Sequence, residues 1–388
     1  MQQNLIPFYR GKLAQASLHK IEMDKSITYF EQAIHLLKKM ISIPSFSKEE
    51  KEVADVIETF LNENGVETSR LLNNVYAKNK LFDKNKKTIL LNSHHDTVKP
   101  SSAYTTDPFS PTERDGKIIG LGSNDAGASL VCLIASFLHF YLKGDLPFNL
   151  MLAATAEEEI SGRNGIELLL NDPIFIDSLG GSEIIGALVG EPTKMNMALA
   201  EKGLLVIDAI AKGKSGHAAR QEGINAIDIA MDDIAKIRSL EFKKISPLTG
   251  KVKATVTSIE TNNKAHNVIP AECKFVIDIR LNELYTFEEV MEMLNRMLTS
   301  EIKARSFRMR STMIPLDHAI VRAGTALGIA HYGSPTTSDK ALMPFPALKI
   351  GPGDSARSHT ADEYIFLEEI DQGIDGYIKL IEETARII

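Results

Sequence analysis

Lys87-Thr88-Ile89-Leu90-Leu91-Asn92-Ser93-His94-His95-Asp96-Thr97 carries an apolar run of strand length straight into two histidines and an aspartate. A short, continuous apolar run reads as a strand buried on both faces, the habit of parallel sheets. Open α/β sheets place their ligand crevice beyond the carboxyl ends of such strands, which is where His94 and Asp96 fall. A His-x-Asp there lets the Asp96 carboxylate hold one imidazole nitrogen of His94 while the other faces a metal. Taken alone, the same triplet also fits an ordinary turn.

On either side of this strand, helical and strand-like periods alternate. Ile27 to Met40 places Phe30, Ala33, Ile34 and Leu37 at helical spacing, and Glu49 to Asn64 does the same with Val53, Val56, Ile57, Phe60 and Leu61. A helix at Ala128 to Leu142, a strand at Phe148 to Thr155, a helix near Asn164 to Leu170 and a strand at Ile184 to Val189 follow. The alternation predicts an open α/β sheet. From about Gly203 the texture changes to strands near Leu204–Ile207, Thr255–Ile259 and Phe275–Ile279, helices near Asn225–Leu240 and Phe287–Leu298, and a Lys/Arg-rich strand before Thr312. That β-α-β-β-α-β order predicts a separate, ferredoxin-like α+β unit. A helix after Pro315, a strand at Ala347 to Ile350 and a helix at Leu367 to Ala385 return to the first unit. The expected division is 24–200 and 314–388 for a catalytic domain, 201–313 for an inserted domain, and 1–23 for an N-terminal extension.

Composition narrows the function classes. The chain's 388 residues exceed one typical core, and 44% hydrophobic with 24% charged residues excludes disorder or a fibrous repeat. A net charge of -7 without a long basic run gives no footprint for nucleic acid, so small molecules are the expected partners. Cys132 and Cys273 lie in apolar surroundings without CxxC spacing, which reads as two buried free thiols in a reducing, cytoplasmic setting. The first residues lack the apolar core of a signal peptide, and no membrane partner is expected.

Further carboxylates fall at strand ends. In Gly120-Leu121-Gly122-Ser123-Asn124-Asp125 the glycines permit a tight loop that brings Asp125 into a crevice, where it could bridge two metals; a helix N-cap is the other reading. Thr155-Ala156-Glu157-Glu158-Glu159 ends the next strand with three adjacent carboxylates, costly to bury without a cation, though an exposed helix start would also carry them. Gly190-Glu191-Pro192-Thr193 follows a further strand, and Gly351-Pro352-Gly353-Asp354 leads to Ser358-His359-Thr360-Ala361-Asp362-Glu363. Four such sites with two histidines are hard to assign to turn chemistry alone. Nitrogen and oxygen donors without cysteine suit zinc in a hydrolytic site.

In chain order, Asn92 to Thr97, Gly120 to Asp125, Thr155 to Glu159, Gly190 to Thr193, Lys214 to Ala218, Asn267 to Pro270 and Ser358 to Glu363 resemble the motifs of a di-zinc amidohydrolase and metallopeptidase family. That family contains acetylornithine deacetylase, succinyl-diaminopimelate desuccinylase, aminoacylases and glutamate-releasing carboxypeptidases. The resemblance runs from about Asp24 to the C-terminus. It implies a zinc-peptidase-like catalytic domain with a mixed, mainly parallel sheet flanked by helices, and an inserted lid and dimerisation domain. It further implies that His94 and Glu191 hold one zinc, that Glu159 and His359 hold the other, and that Asp125 bridges them. Glu158 becomes the general base, and Asp96 orients His94. His217 matches a lid histidine that stabilises an oxyanion, often in the partner subunit's site. Asn267 and Arg280 match lid positions that contact substrate, an arginine being suited to a carboxylate.

The sequence departs from the family at Ala126-Gly127-Ala128, where methionine-lysine-glycine is common. Neither missing side chain is a metal ligand, so the departure bears on substrate rather than on hydrolysis. Gly122 to Gly127 and Gly353 to His359 look most like acetylornithine-deacetylase-like proteins of arginine biosynthesis, which implies N-acetyl-ornithine as substrate. Two Zn2+, with Co2+ or Mn2+ as substitutes, and a homodimer through the lid are implied with it. N-succinyl-ornithine, N-succinyl-diaminopimelate, N-acyl-lysine and dipeptides stay open. A succinyl group adds a carboxylate, for which Arg357 or a lid arginine would supply the cation. A non-catalytic amino-acid or metal-binding protein is the contrasting class; retention of Glu158 and His217 speaks against it.

Overall fold

The computed structural model describes residues 28–220 and 222–388, so the expected 1–23 extension lies outside the described residues. Two helices come first, α1 (Tyr29–Ile41) and α2 (Lys51–Glu63). Thr28 accepts a hydrogen bond from the Glu31 amide at 3.2 Å while the Glu31 carboxylate accepts from the Thr28 amide at 2.8 Å. This reciprocal box satisfies donors that a helix start leaves orphaned. Strands β1 (Thr68–Leu71), β2 (Asn74–Lys78), β3 (Lys87–His94), β4 (Thr112–Arg114) and β5 (Lys117–Ile119) lead to α3 (Ala128–Phe140). Then come β6 (Phe148–Thr155), α4 (Ile166–Asn171), α5 (Pro173–Ser178), β7 (Ile184–Val189) and β8 (Met197–Glu201).

The inserted stretch follows as β9 (Gly203–Lys212), β10 (Gly216–His217), α6 (Ala226–Ser239), β11 (Lys253–Glu260), β12 (Val268–Ile269), β13 (Glu272–Leu281), α7 (Phe287–Met297) and β14 (Glu301–Ala304). The chain closes with β15 (Thr312–Met313), α8 (Ala319–Ala326), β16 (His331–Ser334), β17 (Ala347–Lys349), β18 (Tyr364–Phe366) and α9 (Leu367–Ile387).

Among the described residues the main sheet has the order β1-β2-β6-β3-β7-β17-β8-β15, with β16 beside β8. Strands β6, β3, β7 and β17 run parallel at its centre, and antiparallel pairs flank them. Both faces of the central strands are buried. Ile89 and Leu91 of β3 join the core built on α1, α3 and α9, whereas Leu90 packs with Phe175 and Ile166 on the other side. Burial on both faces is why β3 and β6 read as continuous apolar runs. Helix α3 is buried all round, which accounts for its lack of a polar stripe.

The second sheet is antiparallel in the order β11-β13-β9-β14, with α6 and α7 contributing to its own hydrophobic cluster. Along β13, Cys273, Phe275, Ile277, Ile279 and Leu281 are buried while the alternate residues are more exposed, the mark of a sheet covered on one face. The ferredoxin-like order expected from the sequence is the order observed. The alternating helix–strand reading, by contrast, passed over the antiparallel flanks β1–β2, β8 and β16 and the small sheet β18-β5-β4. Strand β8, Met-Ala-Leu-Ala-Glu, is buried along its whole length, so it shows no two-residue alternation to read.

Candidate metal centre

Parallel strands in register bring their carboxyl ends to one edge. His94 of β3 pairs with Thr155 of β6, and Asn92 pairs with Val189 of β7, so the segments following each strand converge. There His94 Nε2 lies 3.4 Å from Asp125 Oδ1 and 3.9 Å from both Glu158 Oε2 and Glu191 Oε1. His359 Nε2 lies 2.9 Å from Glu159 Oε2 and 3.6 Å from Asp125 Oδ2. The two oxygens of Asp125 therefore face two different histidines. Ligand atoms of His94, Glu158 and Glu191, and of His94, Asp125 and Glu159, lie within 4.8 Å of one another.

Local structure holds each group in place. The loop ahead of α3 turns at Gly122, with φ +74°, and Gly127 approaches so closely that a Cβ there would lie 2.4 Å from the Gly122 carbonyl oxygen. A larger residue at 127, as the family commonly carries, does not fit this backbone. Buried Glu363 accepts hydrogen bonds from the amides of Gly122, Asn124 and Asp125 at 3.1, 2.8 and 2.8 Å, fixing the loop that carries Asp125. Asp96 accepts from the amides of Glu158 and Glu159 at 3.0 and 3.1 Å and from Ser47 Oγ at 2.7 Å, and its Oδ1 lies 3.4 Å from His94 Nδ1. Its carboxylate thus orders the acidic turn, while the hydrogen-bond partner of His94 Nδ1 is the Asp96 backbone carbonyl at 3.0 Å. Glu157, at φ 56°, opens that turn in a conformation unusual for a non-glycine residue, and its carboxylate accepts from the Asn164 amide and side chain.

The electrostatics show too little positive charge for so many carboxylates. Burial raises Glu158 well above the usual range, and Glu191, Asp339 and Glu159 add repulsion that His94 only partly offsets. Burial pushes Glu191 up to about 8 despite the attraction of Lys349. Burial alone would lower His94, but the carboxylates of Asp125, Asp96 and Glu158 outweigh it and hold its pKa well above the ordinary value. The hydrogen bond it gives to the Glu159 carboxylate raises His359 to about 9. His94 Nε2 is buried without a hydrogen-bond partner among the described residues, in a structure where such atoms are normally satisfied. An orphaned imidazole nitrogen amid oxygen donors, with no thiolate, fits divalent zinc, cobalt or manganese.

The candidate residues of the inserted domain stand apart. His217 is exposed in the β10–β12 ladder, opposite Val268, and its Nδ1 accepts from the Ala219 amide at 3.1 Å. The Asn267 carbonyl accepts from Ala218 at 2.9 Å beside it. Arg280 forms a two-pronged pair with Asp278 at 2.8 and 3.0 Å. None of the three lines the cavity of about 240 Å³ that contains the carboxylates. Arg357 is not in its lining either: the guanidinium holds Glu369 at 2.6 and 3.0 Å and stacks on Tyr364 and Phe366. The cavity instead contains Lys349, which the sequence reading passed over although a lysine inside the apolar stretch Ala347 to Ile350 was a visible anomaly. Glu363 lies inside a motif visible in the sequence, but nothing in the sequence shows its task; Asp339, buried and accepting from Thr155 Oγ1 at 2.8 Å, has no sequence signal.

The profile of Peptidase family M20/M25/M40 matches residues 90–383. A peptidase M20 domain-containing protein of Schizosaccharomyces pombe is 28% identical over 385 residues, covering 96% of this chain and 90% of that protein. A succinyl-diaminopimelate desuccinylase of Rickettsia bellii is 25% identical over 280 residues, 68% of this chain and 70% of that one. In fold, the chain is similar to a dinuclear metal-binding M20 peptidase of Bacillus subtilis, with a TM-score of 0.70 at 15% identity over 93% of this chain and 99% of that one. With the profile matching well over half of its length, the chain belongs to Peptidase family M20/M25/M40 and is a metal-dependent hydrolase.

Proposed function

We propose that the chain hydrolyses the amide bond of an N-acyl amino acid at a centre of two divalent ions, held by His94 and Glu191 on one side, by Glu159 and His359 on the other, and bridged by Asp125. The observation that carries this reading is the placement of Asp125, whose Oδ1 and Oδ2 face His94 and His359 across a cluster with an orphaned His94 Nε2. When bound, such ions polarise the acyl carbonyl and lower the pKa of water. Glu158 takes the proton of the attacking water on its carboxylate. As the water oxygen bonds to the acyl carbon and the C–N bond breaks, Glu158 passes that proton to the leaving amine. Its side chain is 13% exposed, enough to meet solvent and substrate while neighbouring carboxylates raise its proton affinity. Asp96 keeps Glu158 aimed through the backbone amide it accepts from.

His217 serves the developing oxyanion in this proposal. Because His217 is exposed and does not line the cavity of its own chain, the task falls to the partner subunit's His217 in a homodimer formed through the lid. Asn267 lies beside the same ladder and Arg280 at the far end of β13, and in this proposal both contact substrate after assembly. An N-acylated ornithine leads the substrate list, N-acetyl-ornithine on the sequence resemblance and N-succinyl compounds on the likeness to desuccinylases, in the cytoplasm and in arginine biosynthesis. No helix among the described residues is long and apolar enough to cross a membrane. The test is release of free amine from N-acetyl- and N-succinyl-ornithine, other acyl-amino acids and dipeptides, with and without chelator. Chelator-sensitive release from the acyl-amino acids is expected; release from dipeptides alone would contradict the proposal.

A further inference from the structure

Lys349 ends β17, in register with Val189 of β7 and Ala198 of β8, so it lies across from the strand that leads into Glu191. Its neighbours Ala347, Leu348 and Ile350 are apolar and buried, and Lys349 itself is only 4% exposed. An ammonium at such depth is costly unless it is partnered. Its Nζ donates to Thr336 Oγ1 at 3.1 Å and lies 3.3 Å from Glu201 Oε1, which engages two of its three donors. No third partner is present among the described residues. Burial would lower its pKa, but Glu201, Glu191 and Glu158 outweigh that and push it up, so the group is charged.

Glu201 is fully buried, already accepts from Ser338 Oγ at 2.8 Å, and also attracts the buried Lys340. Lys349 is the one lysine or arginine among the described residues lining the cavity of the carboxylate cluster. Tyr332, Ser334, Thr336 and Thr337 line it too, and of these Thr336 Oγ1 accepts from Nζ. The cavity therefore sets one ammonium and several hydroxyl-bearing residues in the same lining as the carboxylate cluster.

We propose that Lys349 is a specificity-determining residue that receives a carboxylate at the far end of the acyl group, so that the preferred substrate is an amino acid N-acylated by a dicarboxylic acid of the succinyl class. This rests on the N-acyl amino acid hydrolase reading and selects among its acyl groups. A carboxylate there forms a charge-assisted hydrogen bond with Nζ. An acetyl group ends in a methyl and leaves the ammonium unanswered, and sites built for a polar group reject analogues that lack it.

The metal-loaded wild-type chain and Lys349→Met are to be compared on N-succinyl- and N-acetyl-ornithine, with metal content measured in both. The wild type is expected to favour the succinyl substrate in kcat/KM by about 100-fold or more, and Lys349→Met to lose at least about 100-fold on it while changing less than about 5-fold on the acetyl substrate, at unchanged metal content. An equal fall on both substrates, or loss of metal, overturns the proposal, because Lys349 then only balances Glu191 and Glu201. Should the variant not fold, the wild type decides alone: succinate is expected to inhibit at concentrations at least about 10-fold below butyrate, its size-matched monocarboxylate, and equal inhibition overturns the proposal. Wild-type cleavage of both substrates with equal efficiency overturns this inference and leaves the hydrolase reading standing. Cleavage of neither, with metal bound, overturns both.

Discussion

Glu158 and Glu159 are adjacent in sequence, yet their surroundings give them different tasks. Glu159 is engaged by His359, whereas Glu158 receives no hydrogen bond at its carboxylate among the described residues and is held through its backbone by Asp96. Glu158→Gln is expected to keep the bound metal and lower kcat by about 100- to 10,000-fold, the range for loss of a general base. Metal analysis alongside steady-state rates checks both halves, and unchanged kcat would remove Glu158 from the mechanism. The neighbour of His94 has a structural part. His95 Nε2 lies 2.9 Å from the Asn73 carbonyl oxygen, which can only accept, so Nε2 carries the proton while Nδ1 is buried without a partner. Burial lowers its pKa to about 4. The unfolded chain therefore binds this proton first, and the contribution of His95 to stability is full above about 6.5 and is lost as pH falls from about 6.5 to 4. A loss on the order of 3 kcal/mol over that window is expected, and His95→Gln should flatten it in melts of the metal-free protein at stepped pH. Parallel pH curves for the two proteins would contradict this.

At the scale of elements, the loop of Asp125 depends on a residue more than two hundred positions away. Glu363, just before β18, accepts from three amides of that loop, and burial together with Asp125 pushes its pKa up to about 8. A glutamine there must turn an NH2 towards one set of amide donors whichever way it is placed. Glu363→Gln is therefore expected to weaken metal binding by about 10- to 100-fold, the usual effect of losing a group that orients a ligand, with only a small change in melting temperature. Titration against a competing chelator measures it, and unaltered affinity would show that the loop holds itself. Much of this level was legible beforehand. The parallel strands betray themselves as apolar runs buried on both faces, and the ligands follow because parallel strands end together. What was not legible depended on tertiary pairing: β8 has no alternation, Arg357 finds Glu369 in space, and Lys349 acquires meaning only once β17 is set beside β7.

For the whole molecule, the arrangement divides the work between two sheets. Segments beside the main sheet carry the candidate ligands and Glu158, while the inserted domain carries His217 in a two-stranded ladder with Asn267 beside it. Arg308, after β14, donates to the Ser161 and Gly162 carbonyls at 2.9 Å each, linking the inserted domain's last strand to the acidic turn. If the partner subunit's His217 completes each site, Glu158→Gln and His217→Ala chains are each inactive alone, yet mixed dimers contain one site with both groups intact. Mixing the variants after reversible dissociation is expected to restore about a quarter of wild-type activity, one intact site in each half of a random population. No recovery would place His217 in its own chain's site or outside catalysis.

The most direct test strips the protein of metal and returns zinc in measured steps while following free-amine release from N-acyl-ornithine. The account predicts no turnover in the stripped protein and full recovery as two equivalents bind per chain, the number of ions that the opposed oxygens of Asp125 can bridge. Turnover that survives complete removal of metal, or zinc binding that restores none, would contradict it.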